Sequence, residues 1–198
     1  MAQFPVTANP LDDPFYYLNN FMQVIDWLEQ RYGDVLDTDE QRFISDFKGL
    51  SRESRALLVR MVMRKGIHFR ASKLRYAEIG DIHDAVEPLV RLGWIDDQLP
   101  LPVDELFGVL LKAEVVQCLG SAIEQPKGKK ADWLPTLSEQ FSEARSFGQW
   151  CPNLNERLFS LTIMGLCDRL RFMFFGNLYQ DWSEFVLADL GIFTYEKV

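Results

Sequence analysis

The stretch LVRMVMRKGIHFRASKLRYAEI, Leu58 to Ile79, opens with apolar residues at helical spacing and closes with basic residues interleaved with aromatic ones. Between Arg52 and Arg75 the chain places eight Lys and Arg residues against one acid, Glu53, although its formal net charge is −8. The stripe Leu57, Leu58, Met61 and Val62 predicts a helix that opens at Ser51 and ends before Gly66. Gly66 to Ala71 suits a short extended segment, and Ser72 is placed to cap a further helix through Lys73, Tyr76 and Ile79.

Working outward, the formal balance is −6 over residues 1–50, +7 over 51–75, −8 over 76–126 and −1 over 127–198. Exposed charges are screened beyond about 8 to 10 Å at physiological salt, so a polyanion near the basic block responds to that block more than to the total. Upstream, Leu18, Phe21, Met22, Ile25 and Leu28 predict an amphipathic helix from Phe15 to Arg31 that stops at Gly33. A second helix is expected from a Thr38 cap through Phe43, Ile44 and Phe47 to Gly49. Downstream, Ile82, Val86, Leu89, Val90 and Leu92 predict a helix closed by Gly93, and WIDDQLPLP then reads as a turn into an edge strand or loop. Helix, turn, helix and an L-G-W-I exit is the order of a winged helix. Val103 to Leu119 keeps a helical period, SAIEQPKGKK is a loop, and a helix resumes around Pro135. From Arg157 the remainder reads as two helices broken at Gly176.

Composition sets the class. With 198 residues, 47% of them hydrophobic and 15 of them Phe, the chain is long enough to bury a core and too aromatic for disorder. LTIMGLCDRLRFMFF is interrupted by Asp168, Arg169 and Arg171, so no transmembrane helix is expected. The start MAQFPVTANPLDD does not read as a secretory signal, and a cytoplasmic location is expected. Cys118, Cys151 and Cys167 are odd in number and form no C-x-x-C pair, which suits reduced thiols. His68 and His83 have no second ligand at zinc spacing, so no metal site is expected on them.

Arg60 and Arg64 are four residues apart and share a predicted stripe, with Lys65 at the helix end. Cations in a last turn complement the helix dipole by about 0.3 to 1 kcal/mol each, which accounts for Arg64 and Lys65 without a ligand. Arg70, Lys73 and Arg75 fall at the start of the next predicted helix, the unfavourable end for a cation, and so call for an anion. That anion is either a phosphate or one of the ten acids in residues 76–126. Tyr76, three residues after Lys73, shares its face as a sugar-stacking or core-edge residue. Lys127, Lys129 and Lys130 surround Gly128 ahead of a helix amino terminus, where backbone N–H groups and lysines together can clamp a phosphate without reading bases. Catalytic motifs are missing: there is no G-x-x-x-x-G-K, H-E-x-x-H or G-x-S-x-G, and the nearest approach to Glu-x-Lys, at Glu196-Lys197, lacks the intervening residue.

FYYLNNFMQVIDWLEQRYGDVL, SRALLVRMVMRKGIHFRASKLRYAEIGDI and LVRLGWI resemble the N-terminal region of the Fanconi-associated nuclease family, structure-selective DNA nucleases that end in a VRR-NUC domain. LLKAEVVQCLGSAIEQPKGKKADWLPTL is similar to that family's SAP-like helix-loop-helix. The resemblance implies a mostly α fold: a tail over 1–14, a winged-helix-like DNA-binding region over 15–102, a SAP-like unit over 103–145, and C-terminal helices over 146–198. It implies a family that cuts 5′ flaps and trims DNA from a 5′ end with Mg or Mn during crosslink repair. Arg60, Arg64, Lys65, Lys73, Tyr76, Lys127, Lys129 and Lys130 are carried over as backbone contacts. No catalytic residue is carried over, because the sequence reaches Val198 before the family's helical-repeat and nuclease parts. The expected partners are flapped, branched or 5′-ended DNA and a nuclease module in cis or in trans, with no cofactor in this chain. The other readings are an acidic helical interaction module and a winged-helix transcription regulator.

Overall fold

The computed structural model describes residues 13–186. Helix α1 (Tyr16–Tyr32) buries Tyr17, Leu18, Phe21, Val24, Ile25 and Leu28, the three- and four-residue stripe that its sequence carries. Helix α2 (Thr38–Gly49) is capped one residue earlier than its sequence suggests. Asp37 accepts the Glu40 N–H at 2.8 Å while the Glu40 carboxylate accepts the Asp37 N–H at 2.9 Å, a reciprocal capping box. Helix α3 (Arg52–Val62) is capped by Ser51 and ends at Val62, so Arg64 and Lys65 lie beyond it and do not continue the Arg60 stripe.

Strand β1 (His68–Arg70) is the extended segment expected after Gly66. The helix expected from Ser72 is not formed. A single 3₁₀ turn, Ala71–Lys73, gives way to irregular chain over Leu74–Tyr76. The physical reason is visible at Ser72, whose N–H and hydroxyl both bond the Glu156 carboxylate instead of capping a helix. Helix α4 (Ile82–Arg91) follows, capped by Asp81 and stopped at Gly93, whose φ of 74° is a left-handed conformation that favours glycine.

Strand β2 (Ile95–Asp96) precedes α5 (Val103–Val109) and α6 (Lys112–Leu119), which break the single period read over 103–119 at Leu110 and Leu111. Helix α7 (Lys130–Gln140) contains Pro135, and α8 (Phe147–Trp150) is one turn. The first C-terminal helix expected from Arg157 begins instead as strand β3 (Leu158–Leu161), and α9 (Met164–Phe175) follows it. Gly176 ends α9 with a φ of 72°, as its sequence position suggests, and α10 covers Trp182–Val186. The rest of the segment read as DWSEFVLADLG lies outside the described residues.

The sheet runs β1-β3-β2, with His68 opposite Ser160 and Arg70 opposite Leu158 in antiparallel register. Helix α3, β1, α4, β2 and β3, with the last strand between the first two, is the connectivity of a winged helix. Residues 97–157, which include α5 to α8, are threaded between β2 and β3, where the wing would be. The fold is mostly α, as expected.

By compactness the described residues group into two units, one made of 13–67, 76–94 and 161–186 and the other of 68–75 and 95–160. The first is cored by the α1 stripe together with Phe43, Ile44, Phe47, Leu57, Leu58, Met61 and Leu89, and Phe21 meets Phe47 edge to face at 5.3 Å. The second is cored by Leu106, Phe107, Leu110, Val115, Trp133, Leu137 and Trp150. Among the described residues no helix is long and apolar enough to cross a membrane.

The reduced-thiol reading holds for Cys167 and changes for the other two cysteines. Cys118 and Cys151 are paired as a disulfide with Cα atoms 5.0 Å apart, a separation typical of bridged cysteines, rather than reduced thiols. Their sequence separation of 33 residues conceals that the end of α6 and the residue after α8 meet. Cys167 is buried, and burial pushes its thiol up to about 12. Iodoacetamide should therefore leave it unmodified in the native chain and label it only after denaturation, as mass spectrometry would show.

Candidate functional site

Each cation of the basic block has its own fate. In the first unit, Arg60 is committed internally: its Nε and Nη2 donate to Glu78 Oε1 at 3.2 and 2.6 Å. Its guanidinium also stacks on Tyr17 at 3.9 Å from the ring centroid and on Tyr76 at 4.9 Å. The Tyr17 hydroxyl donates to the same Glu78 oxygen at 2.8 Å, and burial pushes that hydroxyl's pKa well up. Tyr76 is half-buried against Arg60, so it sits at the core edge, and the shared face with Lys73 is lost with the missing helix. Arg64 and Lys65 are exposed in the turn after α3.

In the second unit, Arg70 finds its anion inside the protein. Its Nη1 and Nη2 bond the two Glu114 oxygens at 2.7 and 2.6 Å, and its Nε bonds Glu156 at 3.1 Å. The side chains are 14% exposed for Arg70 and Glu114 and 5% for Glu156, so the acid alternative, not an external phosphate, holds for this residue. Arg75 is exposed, with its Nε donating to the Ser72 carbonyl at 3.1 Å, and Lys73 is exposed on the 3₁₀ turn.

Glu78, Glu114 and Glu156 are all held below the ordinary carboxylate value of 4.5. For Glu114 the Arg70 bonds are the main cause. For Glu78 and Glu156 burial pushes upward, and the Arg60 bond on one and the Ser72 and Arg70 bonds on the other outweigh it. A depressed folded pKa contributes stability above the unfolded value, and that stability is lost as pH falls through the folded one. The urea midpoint should accordingly be flat from neutral pH down to about 5 and drop below about 4.5. Glu78→Gln combined with Glu114→Gln should flatten that drop in an equilibrium urea series.

The PKGKK lysines lie on a turn that is held firmly. The Gln125 carbonyl accepts the Gly128 N–H at 3.0 Å and the Trp133 Nε1–H at 2.9 Å. A Cβ at Gly128 would stand 3.0 Å from the Trp133 indole nitrogen, so the chain runs close over this buried ring. Trp133→Phe removes the indole donor and should cost about 1 to 2 kcal/mol in urea denaturation. Lys127 and Lys129 are exposed, whereas Lys130 turns inward to donate to the Leu110 carbonyl at 2.6 Å. Leu110 stands just before α6, so Lys130 ties the amino end of α7 to that of α6. From the α6 side, exposed Lys112 reaches to 5.5 Å from the Trp133 ring centroid. Lys73 is close enough to Glu114, in the first turn of α6, to help depress its pKa.

Two helix amino ends therefore meet, with Lys73, Lys112, Lys127 and Lys129 exposed around them. Sequence reasoning missed Lys112. Its one available signal was its place at a helix start, which the unbroken period drawn through Leu110 and Leu111 hid. Such an arrangement offers positive dipole ends and exposed ammonium groups, suited to phosphates along a backbone and unsuited to reading base edges. Helix α4, by contrast, exposes Asp84 and Glu87 beside His83 and Arg91.

Residues 15–96 match the family described as the FAN1 HTH domain, and residues 100–150 match the Fanconi anemia-associated nuclease SAP domain. The chain belongs to the Fanconi-associated nuclease family. The Fanconi-associated nuclease 1 homolog of Pseudomonas aeruginosa is 51% identical over 197 residues, covering 100% of this chain and 35% of that protein. The homolog of Arabidopsis thaliana is 26% identical over 199 residues, covering 90% of this chain and 21% of that protein. The chain thus spans about a third of its bacterial relative and about a fifth of the plant one. In structure it is similar to paFAN1 bound to 2-nt 5′ flap DNA with a gap, at a TM-score of 0.90 and 51% identity over 97% of this chain and 35% of that one. It is also similar to paFAN1 bound to 1-nt 5′ flap DNA with a gap, at 0.88 and 52% over 94% of this chain and 34% of that one.

Proposed function

We propose that this chain is the DNA-gripping region of a structure-selective DNA nuclease, holding the duplex backbone and positioning branched or 5′-ended DNA for a metal-dependent nuclease module supplied in cis or in trans. The cytoplasm is its compartment in this reading. One observation carries it: the amino ends of α6 and α7 are tied together by Lys130 and ringed by exposed lysines in a protein of net charge −8. Likeness at 51% identity to a relative whose structures hold 5′ flap DNA supports the same reading. Phosphates approaching such a surface displace condensed counterions, so affinity should fall steeply with salt.

The test is fluorescence anisotropy of labelled 5′-flapped and plain duplex against the purified chain over a salt series. Saturable binding is expected, with a log–log salt slope of about −3 to −4 for four phosphate-contacting lysines. Absence of binding at about 50 mM salt, within the range where backbone contacts are strong, refutes the reading. A winged-helix regulator would instead prefer one duplex sequence, and the acids on α4 disfavour its entry into a major groove.

A further inference from the structure

The two acids that hold Arg70 stand beside the lysines that the proposed grip depends on. Glu114 occupies the first turn of α6, where it accepts the Leu111 N–H at 2.7 Å, so a negative charge already sits at the helix end that a phosphate would meet. Glu156 accepts the Ser72 N–H at 3.1 Å, immediately before Lys73. Both carboxylates do local work, one closing α6 and the other shaping the 3₁₀ turn. Each also opposes an approaching polyanion.

We propose that Arg70 is a positioning residue for nucleic-acid phosphate: its fork on Glu114 and its Nε bond to Glu156 offset one of their two negative charges, so that Lys73 and Lys112 outweigh the other and present a net positive surface. This rests on the backbone-gripping reading above. Arg70, Lys73 and Lys112 against Glu114 and Glu156 leave one positive charge, and a neutral residue at position 70 leaves none. Stability does not by itself demand this arrangement, because a buried ion cluster is commonly no more stable than apolar side chains of the same volume. One cation shared by two carboxylates fits a discharging role, since the planar guanidinium can satisfy both where an ammonium cannot fork. Without it, two acids would face the phosphates across a distance that salt only partly screens.

The experiment measures anisotropy of a labelled 5′-flapped duplex on the 198-residue chain at about 50 and 200 mM salt, the range over which backbone binding changes most. Arg70→Gln should bind roughly fivefold more weakly at the lower salt, and the difference should close as salt rises. Arg70→Gln with Glu114→Gln and Glu156→Gln, which keeps hydrogen-bonding groups and removes every charge, should bind at least as tightly as the parent. A folded Arg70→Gln chain that binds like the parent overturns the proposal. So does a triple variant that is unfolded by circular dichroism or binds less than half as tightly, and the triple alone decides if the single variant does not fold. Lys112→Glu with Lys129→Glu separates the two readings. If it weakens binding while Arg70→Gln does not, only the Arg70 role falls. If the parent does not bind, the grip itself falls.

Discussion

Lys112→Glu together with Lys129→Glu should bind 5′-flapped duplex roughly 30-fold more weakly at low salt and show a log–log salt slope smaller by about 1.8, at about 0.9 per lost phosphate contact. Both side chains are exposed, and both stand at helix amino ends. A carboxylate there is favourable to the helix dipole, so the substitutions should leave stability within about 0.5 kcal/mol. A large affinity loss with an unchanged urea midpoint would therefore report phosphate contact and not unfolding. If affinity is unchanged, the meeting of α6 and α7 is not where DNA lies.

Arg60→Ala should do the reverse. Arg60 belongs to the basic block in sequence, yet its charge is spent on Glu78 and its planar face meets two tyrosines. Truncation strands Glu78, whose side chain is 10% exposed, and opens a gap beside Tyr17 and Tyr76, at a cost of about 3 kcal/mol. The salt slope of DNA binding should not change, because no phosphate contact is removed. Arg60→Lys restores the charge without the fork or the stacked plane, so it should recover less than half of the lost stability. Equilibrium urea denaturation followed by the same anisotropy series measures both quantities on one sample.

Much of the architecture is legible in the chain. The α1 stripe, the Ser51 cap, and the stops at Gly93 and Gly176 follow from spacing and from backbone conformations that favour glycine. The SAP-like loop between helices is marked by Pro126 and Gly128. What escapes is whatever depends on distant partners. Ser72 is a good helix cap by residue type, but Glu156, 84 positions away, holds its N–H and its hydroxyl in a 3₁₀ turn. Strand β3 hides in an apolar run that serves a helix equally well until β1 pairs with it.

The candidate site divides in the same way. Local chemistry marks the PKGKK lysines correctly as cations at a helix start, and two of them, Lys127 and Lys129, remain exposed. Arg70 shows the limit of charge counting, because the helix start on which the demand for an anion rested does not form, and the anion that Arg70 meets is internal. Lys112 shows the opposite failure: with no basic neighbour in sequence, it joins the others only where the amino ends of α6 and α7 meet.

The central claim is tested most directly by titrating the ¹⁵N-labelled chain with 5′-flapped duplex and following backbone amide shifts by NMR. The account predicts that the largest shifts fall on Lys112 to Glu114 and Lys129 to Asp132 and shrink as salt is raised. Shifts concentrated on α4, from Ile82 to Arg91, and insensitive to salt would contradict it.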